Sequence, residues 1–296
     1  MNNLIAIIEA VINKNTSWLD AQNINYGIKG DNWILNYGIG ERNQYNQLVR
    51  GMVINQLTGQ IISFPFARFY NFGEADAVQI DFSNAEVLEK LDGTFVGISF
   101  PNGILHWQTR KMLSSHDCEF EMKSFYGENF KLMSLIGEYV NKLNLVPDQN
   151  TYMFEFIHKH TQVITKYQPE QYGLYLIGCR DLTSHNEKTE EELDEIAKII
   201  GSFRPKRFDT VSSHEGIVSM FSNFPKDFEG FVVRERNSSK RIKIKSEDYV
   251  KIHHLLTKIS YKSLIPLWIA GESEEIIAYF PEAKNRINKI ESSFNA

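Results

Sequence analysis

The chain has 296 residues, 42% hydrophobic and 23% charged, with a formal net charge of −5. That length can bury a full core as one large domain or a large one plus a small one, and the acidic balance excludes a strongly basic nucleic-acid-coating protein. No apolar run reaches membrane-spanning length, and the two cysteines, Cys118 and Cys179, lack metal-ligand spacing and suit a reducing compartment.

Met1 to Asn13 places Leu4, Ile7, Ile8 and Val11 on one helical face, without the basic start or small-residue cleavage site of a signal peptide, so a soluble, cytoplasmic protein is expected. Strand patterns follow at Trp33 to Tyr37, Val49 to Asn55, Gln60 to Phe64, Thr94 to Phe100 and Ile104 to Gln108. Thr58-Gly59 and Pro101-Asn102-Gly103 read as turns between them. Phe130 to Leu143 has helical spacing and must end before Pro147. Two apolar strands come next, Tyr152 to Ile157 and Tyr172 to Cys179. Thr189 to Ile200 is a helix opened by a Thr189/Glu192 capping box and stopped at Gly201. Phe228 to Arg234 and Arg241 to Lys245 form a strand pair around Asn237-Ser238-Ser239.

From Tyr249 the pattern turns helical, through Trp268, Glu272 to Phe280 and Pro281 to Ser292. These last residues, about 45, are too few for an independent domain. The expectation is an α+β fold, with an antiparallel-sheet body over residues 1–250 and a short helical appendage over 251–296.

Lys90-Leu91-Asp92-Gly93-Thr94 carries the chemistry. A lysine at the end of an apolar run, aimed by an Asp-Gly turn, can present a neutral amine to phosphorus. Alone, Lys-x-Asp-Gly is equally a surface turn closing a strand. It gains meaning from Phe154-Glu155-Phe156, Glu229-Gly230-Phe231-Val232 and Lys243-Ile244-Lys245, which follow in that order. Glu155 must point away from its two flanking rings, and a carboxylate there needs a ribose hydroxyl, a metal or an arginine. Glu229 opens an apolar strand and could serve a metal carried on a nucleotide phosphate. Lys243 and Lys245 share one strand face, where a phosphate between them would relieve their repulsion. Arg50-Gly51 offers a phosphate fork with close backbone approach. Between Lys226 and Lys262 basic residues outnumber acidic ones ten to five, whereas acids gather elsewhere, as at Glu190-Glu191-Glu192. A basic face formed by Lys226, Arg234, Arg236, Lys240 and Lys251 would track a polyanion backbone.

These segments resemble the covalent nucleotidyltransferases, and most closely the RNA ligase 1 family of single-chain phage RNA ligases. The similarity includes Ile34 to Tyr37, Arg50-Gly51-Met52, Ser63 to Asn71, Lys90 to Thr94, the Glu155 and Glu229 segments, and Lys243 to Val250. It implies an ATP-grasp-like antiparallel-sheet body and an ATP-dependent RNA ligase using Mg²⁺ or Mn²⁺. In such an enzyme Lys90 takes AMP as a phosphoramidate, passes it to an RNA 5′-phosphate, and a 3′-hydroxyl then seals the strand.

Matched positions imply cofactor contacts from Tyr37, Arg50, Arg68, Lys90, Asp92, Gly93, Glu155, Glu229, Lys243 and Lys245, with Asp92 and Gly93 also forming the turn that aims Lys90 and Glu229 supporting metal-assisted transfer. Arg68 and Arg110 stand where lysines are usual, and Gln162 replaces an arginine. Arg110 and Lys251 are the expected substrate contacts, and Glu274 falls where phage enzymes can carry a metal-linked aspartate. The expected partner is single-stranded RNA with 5′-phosphate and 3′-hydroxyl ends, met by a monomer. The short helical tail gives no reason to expect a preference for broken tRNA.

Two other classes compete. A capping-type guanylyltransferase or DNA ligase would append an oligonucleotide-binding barrel, but the sequence after Lys245 has helical rather than alternating periodicity. A non-catalytic RNA- or nucleotide-binding relative would not need Lys90, both carboxylates and both lysines together.

Overall fold

The computed structural model describes residues 2–38, 41–113, 121–123, 129–161, 163–208, 211–257, 264, 277 and 283–294. Three four-stranded antiparallel sheets build the body. The first joins β1 (Ile24–Lys29), β2 (Asn32–Tyr37), β3 (Arg50–Asn55) and β4 (Ile61–Ser63) in that order. Helix α1 (Asn2–Ile12) lays Ile7 and Val11 against Trp33, Leu35, Met52 and Ile54 of this sheet, with Leu19 of α2 (Thr16–Ala21) completing the cluster.

The remaining strands in chain order are β5 (Ala85–Glu89), β6 (Thr94–Ser99), β7 (His106–Thr109), β8 (Glu121–Lys123), β9 (Asn129–Lys131), β10 (Asn150–Ile157), β11 (Gly173–Asp181), β12 (Arg207–Phe208), β13 (Gly230–Glu235) and β14 (Arg241–Lys245). The second sheet runs β11-β10-β6-β7 and the third β12-β5-β13-β14, while β8 and β9 pair separately. Helices α3 (Leu132–Val140) and α4 (Glu190–Ile200) cover the second sheet, packing Ile136, Val140, Leu193 and Ala197 against Phe154, Phe156 and Leu176. Helix α4 starts at the reciprocal Thr189/Glu192 capping box and stops at Gly201, whose φ of 73° is left-handed. Helix α5 (His214–Met220) lies over the third sheet, where Ile217 meets Val87, Phe231 and Val233.

The sheets meet through specific links. The Phe64 amide donates to Thr151 Oγ1 at 3.0 Å, and the Gln108 side chain donates to the Gly51 carbonyl. The short segment between β5 and β6 leaves the third sheet and enters the second. Lys90 stands on that crossover, so both sheets aim it.

Helix α6 (Glu247–Thr257) follows β14 and crosses the expected boundary at residue 250. Ile252, Leu264, Ala283, Ile287 and Ile290 form a small separate cluster with the helix Lys284–Phe294. No helix among the described residues is long and apolar enough to cross a membrane. Cys179 is buried and free, whereas Cys118, Gln162, Trp268 and Glu274 lie outside the described residues.

Candidate active site

Lys90 is fixed by its own backbone: its amide donates to the Gly230 carbonyl at 2.8 Å. Gly230 has a φ of 143°, and a Cβ there would meet the Ile244 carbonyl oxygen at 2.2 Å, so only glycine lets β13 approach both β14 and Lys90 so closely. The Lys90 ammonium lies 2.8 Å from Glu229 Oε2, and the Lys245 ammonium 2.8 Å from Glu229 Oε1. Glu229 is itself buried, so one carboxylate bridges two lysines in a low-dielectric setting.

On β14, Lys243 and Lys245 lie opposite Val232 and Gly230, while Ile244 between them turns into the third core cluster. Among the described residues no carboxylate lies within ion-pair distance of Lys243. Burial first, then repulsion from Lys90 and Lys245, bring its ammonium down to about 8. Its nitrogen sits 5.4 Å from the centre of the Phe69 ring.

Strand alternation puts Phe154 and Phe156 in the main core and turns Glu155 to the opposite face. Glu155 accepts from the Gly93 amide at 3.1 Å. Gly93 is itself required: a Cβ would meet the Phe156 carbonyl oxygen at 2.4 Å. Burial pushes the Glu155 carboxyl up to about 7, Lys90 and Arg50 opposing that rise while Glu229 adds to it. Arg50 hydrogen-bonds Tyr37, feels Glu155, and is lowered by burial and by Arg110. An apolar slot opens between the second and third sheets, walled by Phe66, Phe69, Leu88, Phe95, Ile177 and Val232, with Arg50, Lys90 and Glu155 also on its lining.

Asp92, expected both to form the Lys90 turn and to line the cofactor site, is turned to the protein interior. It is buried and accepts from the Ile164 and Thr165 amides at 2.7 and 2.9 Å, while the Tyr249 hydroxyl also bonds it. Its own amide donates to the Tyr167 hydroxyl at 2.8 Å. Asp92 therefore holds the Lys90 turn against two neighbouring segments. Burial and the nearby Glu229 raise its carboxyl.

Tyr37, at the end of β2, is ringed by guanidiniums. Arg42, Arg110 and Arg68 stand 4.4, 4.6 and 5.1 Å from its ring centre. Among the described residues none of the three has a carboxylate within ion-pair distance. They line a groove of about 640 Å³ with Asn25, Asn36 and Lys111. Three unneutralised cations gathered on one ring make an anion site. Arg42 had no signal in the sequence, since it sits in an irregular stretch with no strand or helix period.

The expected basic face is corrected by the structure. Arg234 is buried, its guanidinium donating to Glu190 at 2.8 Å and to the Lys188 carbonyl at 2.7 Å. Arg236 pairs with Glu86 and Glu191, and Lys240 with Glu235. Lys251, expected to contact substrate, lies exposed on α6 and pairs with Glu247 and Asp248, each at 3.6 Å. Glu190, one of the three acids that open α4, is buried and serves both Arg234 and Arg204.

The RNA ligase family profile matches residues 48–250, a span that starts just before Arg50 and ends just after Tyr249. The chain belongs to the RNA ligase family. It is 28% identical over 277 residues to a putative bifunctional polynucleotide kinase/RNA ligase of Autographa californica nuclear polyhedrosis virus, covering 87% of this chain and 38% of the viral protein. It is 26% identical over 240 residues to a putative RNA ligase of Thermovibrio ammonificans, covering 78% of this chain and 60% of that one. The chain thus spans less than two thirds of either curated relative. Among solved structures, an archaeal ATP-dependent RNA ligase superposes with a TM-score of 0.56 at 15% identity, covering 93% of this chain and 73% of the other. A structure described as form 1 of an archaeal ATP-dependent RNA ligase gives a TM-score of 0.55 at 14% identity, again covering 93% of this chain and 73% of the other. At these identities the likeness is one of fold.

Proposed function

We propose that the chain is an ATP-dependent RNA ligase, with residues 1–250 as the adenylyltransferase unit and 251–296 as its helical appendage. The observation that carries this reading is the Lys90–Glu229–Lys245 bridge beside the unpaired Lys243. Glu229 Oε2, at 2.8 Å, is in reach of a proton leaving Lys90. The neutral amine then attacks the α-phosphorus of ATP, the bond to the bridging oxygen breaks, and pyrophosphate departs with that electron pair. Lys243 and Lys245 would meet the charge that builds on the α-phosphoryl oxygens. The arginine groove around Tyr37 suits the two departing phosphates, and Arg68 and Arg110 give forks where point charges would otherwise serve.

In the second step an oxygen of an RNA 5′-phosphate attacks the same phosphorus and the Lys90 nitrogen leaves, recovering a proton. In the third, a 3′-hydroxyl attacks the RNA 5′-phosphorus and AMP is expelled.

No group of three or more His, Cys, Asp or Glu among the described residues is arranged to cage a metal. Both Glu229 oxygens are engaged by ammonium groups, whereas Glu155 accepts from the Gly93 amide and has its carboxyl raised to about 7 by burial. That donor set fits a Mg²⁺ or Mn²⁺ ion carried mainly by phosphate oxygens, with Glu155 and Glu229 as the nearby carboxylates. When bound, the ion would neutralise charge on the leaving pyrophosphate.

The test is sealing. A 5′-phosphorylated, 3′-hydroxyl single-stranded RNA should be joined or circularised with ATP and Mg²⁺, with an adenylylated RNA visible on denaturing gels. Use of GTP in place of ATP, or sealing of DNA but not RNA, would overturn the reading.

A further inference from the structure

A second groove, of about 650 Å³, opens along the outer edge of β14. Lys243 and Lys245 form part of its wall, and Phe72 and His214 another part. It shares no lining residue with the arginine groove around Tyr37. The two grooves therefore have room for different parts of the reactants.

The aromatic wall is placed by the lysine strand itself. The Lys243 amide donates to the Tyr70 carbonyl at 2.9 Å, and the Phe72 amide donates to the Lys243 carbonyl at 2.8 Å. Asn71 thereby pairs with Lys243 as a parallel bridge, and Phe72 is fixed one residue further along. Phe72 is 46% exposed, a poor use of a phenylalanine whose role is core packing. It stacks on His214 with centroids 3.9 Å apart and planes 20° from parallel, and Phe82 supports it edge-on at 6.0 Å. A partly exposed aromatic stack beside two lysines combines the two elements of single-strand recognition: a π-face for a base and a cation for the phosphate next to it. Glu247 and Asp248, on the same groove, are partly neutralised by Lys251 at 3.6 Å.

We propose that this groove takes the terminal nucleotide of the 5′-phosphate RNA strand, its base stacked on the Phe72–His214 pair and its phosphate at Lys243. The proposal rests on the adenylyl-transfer reading above and adds which surface holds the acceptor. Because every base offers a π-face, the site would bind with little dependence on sequence.

The experiment uses the full chain with Phe72→Ala, Phe72→Trp and His214→Ala. Three quantities are read: anisotropy of a labelled 5′-phosphorylated single-stranded RNA, AMP transfer from isolated enzyme–adenylate to that RNA, and self-adenylylation from ATP. Loss of one stacked base predicts that Phe72→Ala weakens RNA binding and AMP transfer roughly tenfold. Phe72→Trp should retain both, His214→Ala should fall between, and self-adenylylation should stay within about twofold throughout. Unchanged RNA binding in Phe72→Ala would overturn the proposal. So would an equal fall in self-adenylylation, which would mean that the pair merely braces the Lys243 strand. A wild-type chain that binds RNA through Phe72 yet never becomes adenylylated would contradict the ligase reading and leave this surface standing.

Discussion

Arg241 and Lys243 stand two residues apart on one face of β14, and the molecule treats them in opposite ways. Arg241 is buried, pairs with Glu187, and packs over the Phe66 ring at 4.0 Å. Arg180 reaches the same Glu187, and Arg234, directly across the ladder from Arg241, is clamped by Glu190. Arg204 and Arg207 extend this lattice to Asp194 at 2.8 Å each. Burial alone would raise the Glu187 carboxyl, yet Arg241 and Arg180 hold it below the usual carboxylate range. Lys243, by contrast, has cations for neighbours and no ion pair among the described residues. The first arrangement is complete without a ligand and fixes geometry. The second is electrostatically incomplete and gains from an arriving phosphate.

The sharpest way to break this contrast is to remove one acid from the complete half. Glu190→Ala strands Arg234 and Arg204 in a buried setting and should cost about 3–5 kcal/mol of stability, read by denaturant unfolding. A cost under about 1 kcal/mol would mean the lattice is wet and weak. In the incomplete half the effect should move from stability to rate. Lys243→Ala and Lys245→Ala should each slow self-adenylylation by about 3 kcal/mol, roughly a hundredfold or more, in stopped-time labelling. Lys243→Ala should leave the fold at least as stable at pH 7, because it removes a cation that burial disfavours.

Glu155 sharpens the comparison through pH. Its folded carboxyl, near 7, lies above its unfolded value, so the folded state binds more protons between about 4.5 and 7. Stability should therefore fall as pH rises through that window, and the full cost is present above it. Glu155→Gln should recover up to about 3 kcal/mol at pH 8 while lowering activity, and should be nearly neutral in stability at pH 4. For Lys243 the unfolded chain binds more protons between about 8 and 10.5, so its contribution to stability improves as pH rises through that range. The smallest effect belongs to the exposed pairs: Lys251→Ala should change stability by less than about 0.5 kcal/mol.

Much of this was legible in the sequence, and the limit has a physical origin. Local periodicity located α3, α4 and the strands that carry Glu155, Lys243 and Lys245, and alternation alone determines which face each of them takes. The Lys90 turn could be found because a lysine, an acid and a glycine are contiguous. What periodicity cannot encode is the partner across space. Nothing near Arg234 or Glu190 in sequence indicates that they neutralise each other, so Arg234 reads as RNA-facing. The Ile164 and Thr165 amides that hold Asp92 lie more than seventy residues from it, beyond the reach of any local pattern. β1 carries no strand signal because it lacks the alternation of a half-buried strand, and Arg42 carries none because its stretch has no period.

On the proposed function, the incomplete cluster places AMP on one lysine, Lys90. The direct measurement is intact-mass and peptide mapping after incubation with ATP and Mg²⁺, for the native chain and for Lys90→Ala. The native chain should gain a single AMP on the peptide containing Lys90, lost in acid and kept in base as a phosphoramidate is, and the variant should fold and stay unmodified. AMP on another residue, or label retained in Lys90→Ala, would contradict the account.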